Sequence, residues 1–369
     1  MGGYQSLYRK YRPLSLEDLV GQEHIGATLK RAALTKKFVH CYLFNGKHGT
    51  GKTSTARILA AMLNCENLKE DGNPCGECTS CKVIRADASP DLIELDGARN
   101  GKVENINSLI ESVRWPPQQL SKKVFIIDEC HCLSGGAISA LLKVTEEPPP
   151  YVTFIFCTTE AQKVIPTILS RGQRFNFKMI TSKDIVSRLT TISTKEGIQI
   201  DTDGLWLLAK MARGSMRDSI TSLEMIATLA DGRKIVAGSV EKYFGLPKKD
   251  VIVQIAKAVI DQDVPQVLDL VNDLVLISTE PQEILREIAE VLRNIMVLKV
   301  PNTRSDLVDI PDSDIQVLKS IGGDVTVGQL AQMTRFFSQV DKKITYSINE
   351  RWTMEAALIS CIALLRSNK

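Results

Sequence analysis

The fold of this chain is decided by the stretch Phe44-Asn45-Gly46-Lys47-His48-Gly49-Thr50-Gly51-Lys52-Thr53-Ser54. It has the phosphate-binding pattern G-x-x-x-x-G-K-T, and it lies between an apolar strand predicted at 41–44 and a helix predicted at 52–64. Its glycines allow the backbone to wrap a polyphosphate and to turn N–H groups onto the oxygens. We expect residues 46–54 to bind the phosphates, with the Lys52 ammonium on the β- and γ-phosphates and the Thr53 hydroxyl on Mg²⁺.

A second chemical signal is an apolar run at 124–127 that ends in Asp128 and Glu129. An acidic pair at the end of a parallel strand lies at the carboxyl edge of the sheet, where the P-loop also lies. We expect Asp128 to hold Mg²⁺ and Glu129 to orient or deprotonate an attacking water.

Short apolar runs separated by helical patterns predict an α/β fold with a parallel sheet that is covered on both faces. The five predicted strands are 41–44, 92–96, 124–129, 152–159 and 174–177.

The chain has nine cysteines and no secretory signal, which favours reduced thiols or a metal site over disulfides. Four of them follow the P-loop helix as Cys65-x9-Cys75-x2-Cys78-x2-Cys81. Four converging thiolates suit a structural, tetrahedral Zn²⁺ with no open position for a substrate. An iron–sulfur cluster and unligated cysteines are the alternatives.

The other five cysteines are expected to be buried small hydrophobes, because they lie in or beside apolar runs at positions 41, 130, 132, 157 and 361. A metal site made from Cys130, His131 and Cys132 is disfavoured, since adjacent residues rarely point at one centre.

Composition indicates a globular protein of two or three domains, with 369 residues, 44% hydrophobic and 24% charged. No run of eighteen apolar residues occurs, and the opening at 1–4 is unlike a signal peptide. These features predict a cytoplasmic protein with no membrane partner. The net charge of +3 is too small to indicate a nucleic-acid binder by itself.

The chain becomes helical from residue 180. Helices are predicted to open at 182, at 202 and after Gly214, the last with a capping box between Ser215 and Asp218. Charge patterning alone makes Arg217 a surface residue. Beyond 248, apolar stripes at 284–298, 327–340 and 352–365 predict an all-α bundle, with 301–323 as loop and one short helix.

With these residues in place, the chain resembles the γ/τ family of bacterial DNA polymerase III clamp-loader subunits, which are AAA+ ATPases. The resemblance covers essentially the whole length. It rests on Tyr8-Arg-Lys-Tyr-Arg-Pro, Val20-Gly-Gln-Glu, the P-loop, the four cysteines, Asp128-Glu129, Leu141-Leu-Lys, Glu146-Glu-Pro-Pro, Thr158-Thr159, Ser170-Arg171 and Gly214-Ser-Met-Arg-Asp. It implies an AAA+ domain at 1–179 with a zinc module at 64–82, an all-α lid at 180–243 and an all-α collar at 244–369.

The resemblance also implies roles for single residues around the nucleotide. Thr159 matches the sensor that reads the γ-phosphate, and Arg217 matches the second sensor, on the lid. Arg171 matches the arginine finger that completes the site of a neighbouring subunit. Gly172 follows it where such families usually have cysteine, which loosens the turn that aims the finger.

Further contacts implied by the resemblance involve the base and the DNA. Tyr8, Arg12 and Pro13 match the segment that lies against adenine. Arg99 and Lys102 fall where such loaders face DNA phosphates, contacts that are sequence-independent and salt-sensitive.

The implied function is that of an ATP-hydrolysing motor subunit, an ATPase that opens a sliding clamp and loads it onto primer-template DNA at the bacterial replication fork. Its expected cofactors are ATP, Mg²⁺ and Zn²⁺. Its expected partners are self copies and related AAA+ subunits in a ring, the clamp and DNA, with polymerase and single-strand-binding protein reached through other subunits.

Three other functions stay open. A branch-migration helicase would need a winged-helix domain after the lid, which the stripe at 284–298 opposes. A non-enzymatic scaffold subunit would usually have lost Lys52 or the acidic pair. A eukaryotic relative that carries the same core inside an interaction protein is the third.

Overall fold

The computed structural model describes residues 5–164, 172–276, 279–302 and 307–367. The chain divides into two compact units, of which the first comprises Met1–Ile192 and Ala209–Met225. The second comprises Ser193–Leu208 and Ile226–Lys369.

The first unit is built around one sheet of five parallel strands. These are β1 (Cys41–Asn45), β2 (Leu92–Asp96), β3 (Lys123–Asp128), β4 (Val152–Thr158) and β5 (Gln173–Asn176). Their order across the sheet is β2-β3-β4-β1-β5, and every neighbouring pair is parallel. The predicted α/β class and the five strands are confirmed, with ends that differ by at most one residue.

Helices cover both faces of the sheet, because alternate residues of a strand point to opposite sides. Tyr42 and Phe44 belong to one apolar cluster with residues from the helices Glu23–Leu34 and Lys52–Asn64. Leu43 belongs to another cluster with residues from the helices Val103–Val113 and Gly135–Glu146. The first seven helices are α1 (Leu7–Lys10), α2 (Glu23–Leu34), α3 (Lys52–Asn64), α4 (Thr79–Arg85), α5 (Gly97–Asn100), α6 (Val103–Val113) and α7 (Gly135–Glu146).

The rest of the chain is helical, as predicted. Its helices are α8 (Ser182–Glu196), α9 (Thr202–Met211), α10 (Met216–Ala230), α11 (Ala237–Phe244), α12 (Lys249–Ile260), α13 (Val264–Leu276), α14 (Pro281–Lys299), α15 (Asp312–Ile321), α16 (Val327–Ile344) and α17 (Glu350–Ser367). The stripe on α14 is buried in one core with Phe337 of α16 and Leu358 of α17. No helix within the described ranges is long and apolar enough to cross a bilayer.

Two local predictions need adjustment. Cys132 is exposed, whereas the other four cysteines outside the cluster are buried, so the prediction of a buried Cys132 is wrong. Only half of the predicted capping box is seen. The Asp218 N–H donates to Ser215 Oγ at 3.3 Å, while the Ser215 N–H donates to the carbonyl of Ala212.

Candidate functional site

The P-loop follows β1 and turns directly into α3, whose first residue is Lys52. Gly49 has a φ of +70° and Gly51 a φ of +100°. Other residues enter this left-handed region at a cost of about 1–2 kcal/mol, so the loop requires glycine at these two positions. The same conformation brings the backbone of 46–51 around the end of the helix, where anions bind.

The Lys52 side chain is buried inside the loop. Its Nζ donates to the carbonyls of Gly46 at 2.7 Å and Lys47 at 3.0 Å. Burial lowers the pKa of Lys52, and the negative charge of Glu129 opposes this shift. Thr50 Oγ1 donates to the Lys47 carbonyl at 2.8 Å and holds the loop from within.

Thr53 and Asp128 are in direct contact. Thr53 Oγ1, in the first turn of α3, donates to Asp128 Oδ2 at 2.6 Å, and the Glu129 N–H donates to Asp128 Oδ1 at 2.9 Å. A hydroxyl and a carboxylate are the hard oxygen donors that Mg²⁺ binds, so this pair fits that ion.

Glu129 lies just after β3 and has a φ of +47°, in the left-handed region. Its side chain is 14% exposed, and Thr159 Oγ1 donates to its Oε2 at 3.0 Å. His48 Nε2, on the P-loop, lies 3.2 Å from Oε1. Glu129 is thereby held between the residue that follows β4 and the P-loop.

The N-terminal segment, residues 7–13, contacts α10 beside the P-loop. The Arg217 guanidinium lies over the Tyr8 ring, 5.0 Å from its centroid, while the neighbouring Met216 N–H donates to the Gly49 carbonyl at 3.1 Å. The Leu7 N–H donates to Glu224 Oε1 at 3.0 Å, a second contact between the segment and α10.

Arg12 Nε donates to Ser54 Oγ at 3.4 Å, which joins the N-terminal segment to α3. Burial lowers the pKa of the Arg12 guanidinium. Pro13 is half-buried.

Two of the predicted residues, Arg99 and Lys102, are not brought to the P-loop. Arg99 is 86% exposed and pairs with Asp96, its Nε 3.5 Å from Oδ2. Lys102 is exposed at the start of α6. Arg171 lies outside the described residues.

The four clustered cysteines converge as predicted, with their Sγ atoms all within 4.8 Å of one another. The Sγ atoms of Cys75 and Cys81 are 3.9 Å apart, close to the separation of about 3.8 Å that follows from tetrahedral Zn–S bonds of about 2.3 Å. The N–H groups of Cys78 and Glu77 donate to Cys75 Sγ and lower the pKa of Cys75 to about 6. Burial raises the pKa of Cys81. The donor set fits Zn²⁺.

Two residues beside this site, His131 and Glu160, were missed in the sequence. His131 was weighed only as a metal ligand, yet its ring lies between Glu129 and Glu160. The available signal was its position, two residues beyond the acidic pair on the turn that follows β3.

Comparisons with known proteins place successive parts of the chain in related families. Residues 21–181 match the family described as DNA polymerase III, delta subunit. Residues 184–227 match the DNA polymerase III clamp loader subunit, ATPase lid domain, and residues 235–367 match DNA polymerase III subunits gamma and tau domain III. Among solved structures, the Thermotoga maritima RuvB Holliday junction branch migration motor is 18% identical, with a TM-score of 0.48, over 84% of this chain and 98% of that one.

Curated relatives are similar over most of the chain. DNA polymerase III subunit tau of Bacillus subtilis is 35% identical over 96% of this chain and 63% of its own length. Two further relatives, from Mycoplasma species, are matched over 45% and 39% of theirs, so the chain spans about half the length of these proteins. DNA polymerase III subunit gamma of Buchnera aphidicola is 31% identical over 98% of this chain and 99% of its own length. The chain therefore belongs to the gamma/tau family of DNA polymerase III subunits.

Proposed function

We propose that this chain is an ATP-hydrolysing motor subunit of a clamp loader, which uses ATP binding to open a sliding clamp and primed DNA to trigger hydrolysis and release. The observation that carries the proposal is the acidic pair in front of the P-loop. Asp128 contacts Thr53, and Glu129 is bonded to Thr159. A scaffold subunit has no need of this arrangement.

Residues 46–54 bind the ATP phosphates, with the Lys52 ammonium on the β- and γ-phosphates. Thr53 and Asp128 would hold Mg²⁺, which would neutralise charge on the phosphate oxygens. Glu129 orients the attacking water or takes its proton. The Thr159 hydroxyl fixes the Glu129 carboxylate for this role.

Positive groups complete the site. The Arg217 side chain moves off the Tyr8 ring when ATP binds and contacts the γ-phosphate. The segment that contains Tyr8, Arg12 and Pro13 flanks the adenine. Arg171 acts on the nucleotide of an adjacent subunit, where it stabilises charge that spreads over the γ-phosphate oxygens. This role requires a ring of self copies and related subunits.

The proposed division of labour follows three domains, at 1–179, 180–243 and 244–369, which act as motor, lid and collar. Arg99 and Lys102 are exposed, as contacts to DNA phosphates require. The cysteine module at 64–82 holds one structural Zn²⁺. The remaining partners are the clamp, primer-template DNA, and the polymerase and single-strand-binding protein through other subunits, all in the cytoplasm.

The deciding experiment is steady-state ATP turnover of the reconstituted assembly, with and without sliding clamp and primer-template DNA. Strong stimulation that requires both supports the proposal. Turnover that is independent of the clamp but is stimulated by branched duplex DNA supports a helicase instead. No turnover under any condition supports a scaffold.

A further inference from the structure

We propose that His131 is a positioning residue for Glu129, with Glu160 fixing the imidazole from its other side; this rests on the proposed ATPase function. His131 lies in the short 3₁₀ turn at Cys130–Cys132, directly after Glu129. Its side chain is 10% exposed. Within the described part of the chain its polar contacts are to Glu129, Thr158, Glu160 and Cys132, so it acts on the reaction through Glu129.

One ring nitrogen faces Glu129. Nδ1 lies 3.3 Å from Glu129 Oε2 and 3.1 Å from Thr158 Oγ1, at the end of β4. The Thr158 hydroxyl is itself fixed, because it accepts the Glu160 N–H at 3.0 Å. This side of the ring therefore lies against the Glu129 carboxylate and against a hydroxyl that is fixed at the end of β4.

The other nitrogen faces a second carboxylate. Nε2 lies 3.4 Å from Glu160 Oε1 and 3.4 Å from Cys132 Sγ. Lys163 Nζ in turn lies 2.9 Å from Glu160 Oε2. A ring turned over by 180° would replace both nitrogens with carbons and lose both carboxylate contacts, so the two carboxylates together select one orientation of the imidazole.

Glu129 needs such support because of where it stands. It follows the last residue of β3 in a left-handed conformation, so the ladder of the sheet does not fix its side chain. Of its two imidazole neighbours, the His48 side chain is 70% exposed whereas that of His131 is only 10% exposed. A general base that is misplaced by about 1 Å loses about 100-fold in rate, so the contact with His131 acts on turnover together with the hydrogen bond from Thr159.

The test compares two polar variants in the reconstituted assembly. His131→Asn keeps a side-chain nitrogen near the place of Nδ1, toward Glu129, and His131→Gln keeps one near the place of Nε2, toward Glu160. We expect kcat to fall at least about tenfold in His131→Gln and by no more than about threefold in His131→Asn, with the ATP Kd within about twofold in both. His24→Ala is the control, because this histidine lies on α2 with its Nε2 3.0 Å from the Asn176 carbonyl, away from the acidic pair.

A third variant tests the outer carboxylate. Glu160→Gln should lower kcat in the wild-type background and leave it unchanged in the His131→Asn background, because the two residues act in series. Equal turnover of the Asn and Gln variants would overturn the proposal, as would a loss that appears in ATP affinity rather than in kcat. Normal turnover in all variants also overturns it, whereas a wild-type assembly without turnover refutes the ATPase function instead.

Discussion

The hydroxyl of Thr53 donates to Asp128 Oδ2 across 2.6 Å, and this hydrogen bond joins the first turn of α3 to the end of β3. The two residues are 75 positions apart in the sequence, and their hydrogen bond spans from the helix that follows β1 to the end of β3, although β4 lies between these two strands. Their contact defines the position of the proposed Mg²⁺ ion before any nucleotide is considered.

Thr53→Val should raise the Mg²⁺ concentration needed for half-maximal ATP turnover by about tenfold, because an isosteric methyl replaces a hard oxygen ligand. Thr53→Ser keeps the hydroxyl and is the matched control. A magnesium titration of turnover measures the effect. Equal magnesium dependence in the Val and Ser variants would exclude this hydroxyl as a ligand.

Lys52→Ala should weaken ATP binding by about 100-fold, since charge-assisted hydrogen bonds contribute about 1.5–3 kcal/mol each. Lys47→Ala, which removes an exposed lysine of the same loop, should leave affinity within about threefold. Equilibrium titration with a fluorescent ATP analogue compares them. Unchanged affinity in Lys52→Ala would remove the P-loop from the proposed function.

Gly49→Ala should destabilise the first unit more than Gly21→Ala does. Both glycines have similar positive φ angles, of +70° and +72°, so the backbone cost of about 1–2 kcal/mol is shared. A Cβ at Gly49 would lie 1.8 Å from Ser215 Oγ, whereas one at Gly21 would meet nothing closer than 3.8 Å. Calorimetry should show the lower unfolding temperature for Gly49→Ala, and equal shifts would mean that Ser215 moves aside freely.

Metal analysis should find about one zinc per chain, and Cys78→Ser should abolish it. Cys132→Ser, outside the cluster and exposed, should keep the full metal content. Binding should weaken as the pH falls because protons compete with the metal for the thiolates, and it should weaken more steeply below about 6, the pKa of Cys75, where that ligand is protonated as well. Iron with visible colour would instead identify a cluster.

Arg171→Ala should leave ATP binding nearly intact and lower turnover of the assembled ring by about 10³-fold, as expected for a finger supplied in trans. The isolated subunit provides the control, because its own site does not receive its own arginine. A loss of the same size in the isolated subunit would contradict the trans role.

Much of the fold could be predicted because the signals for its helices, strands and cysteine cluster each lie within a short stretch of sequence. The helix at 52–64 was predicted to the residue, and all five strands were found from short apolar runs. The convergence of Cys65, Cys75, Cys78 and Cys81 was also predicted, since their spacing brings the thiols together after a turn.

Predictions of side-chain partners were weaker because those partners depend on strand order and on rotamers. No sequence pattern states that β4 pairs with β3, and it is this pairing that brings Thr159 to Glu129. The placement of Arg217 over the Tyr8 ring joins residues far apart in sequence. Cys132 was predicted to be buried because the residues near it are apolar, but the turn after β3 exposes it.

The position of β1 in the sheet also governs how the chain folds as it is synthesised. Tyr42 pairs with Ile155 of β4 and Gln173 of β5, and β1 has no partner in β2 or β3. An apolar strand whose partners are distant in sequence pairs slowly, and it is prone to aggregation until those partners have been synthesised. The P-loop thus leaves the ribosome early but gains its shape late, and we expect nascent chains that end between residues 45 and 158 to depend most on chaperones.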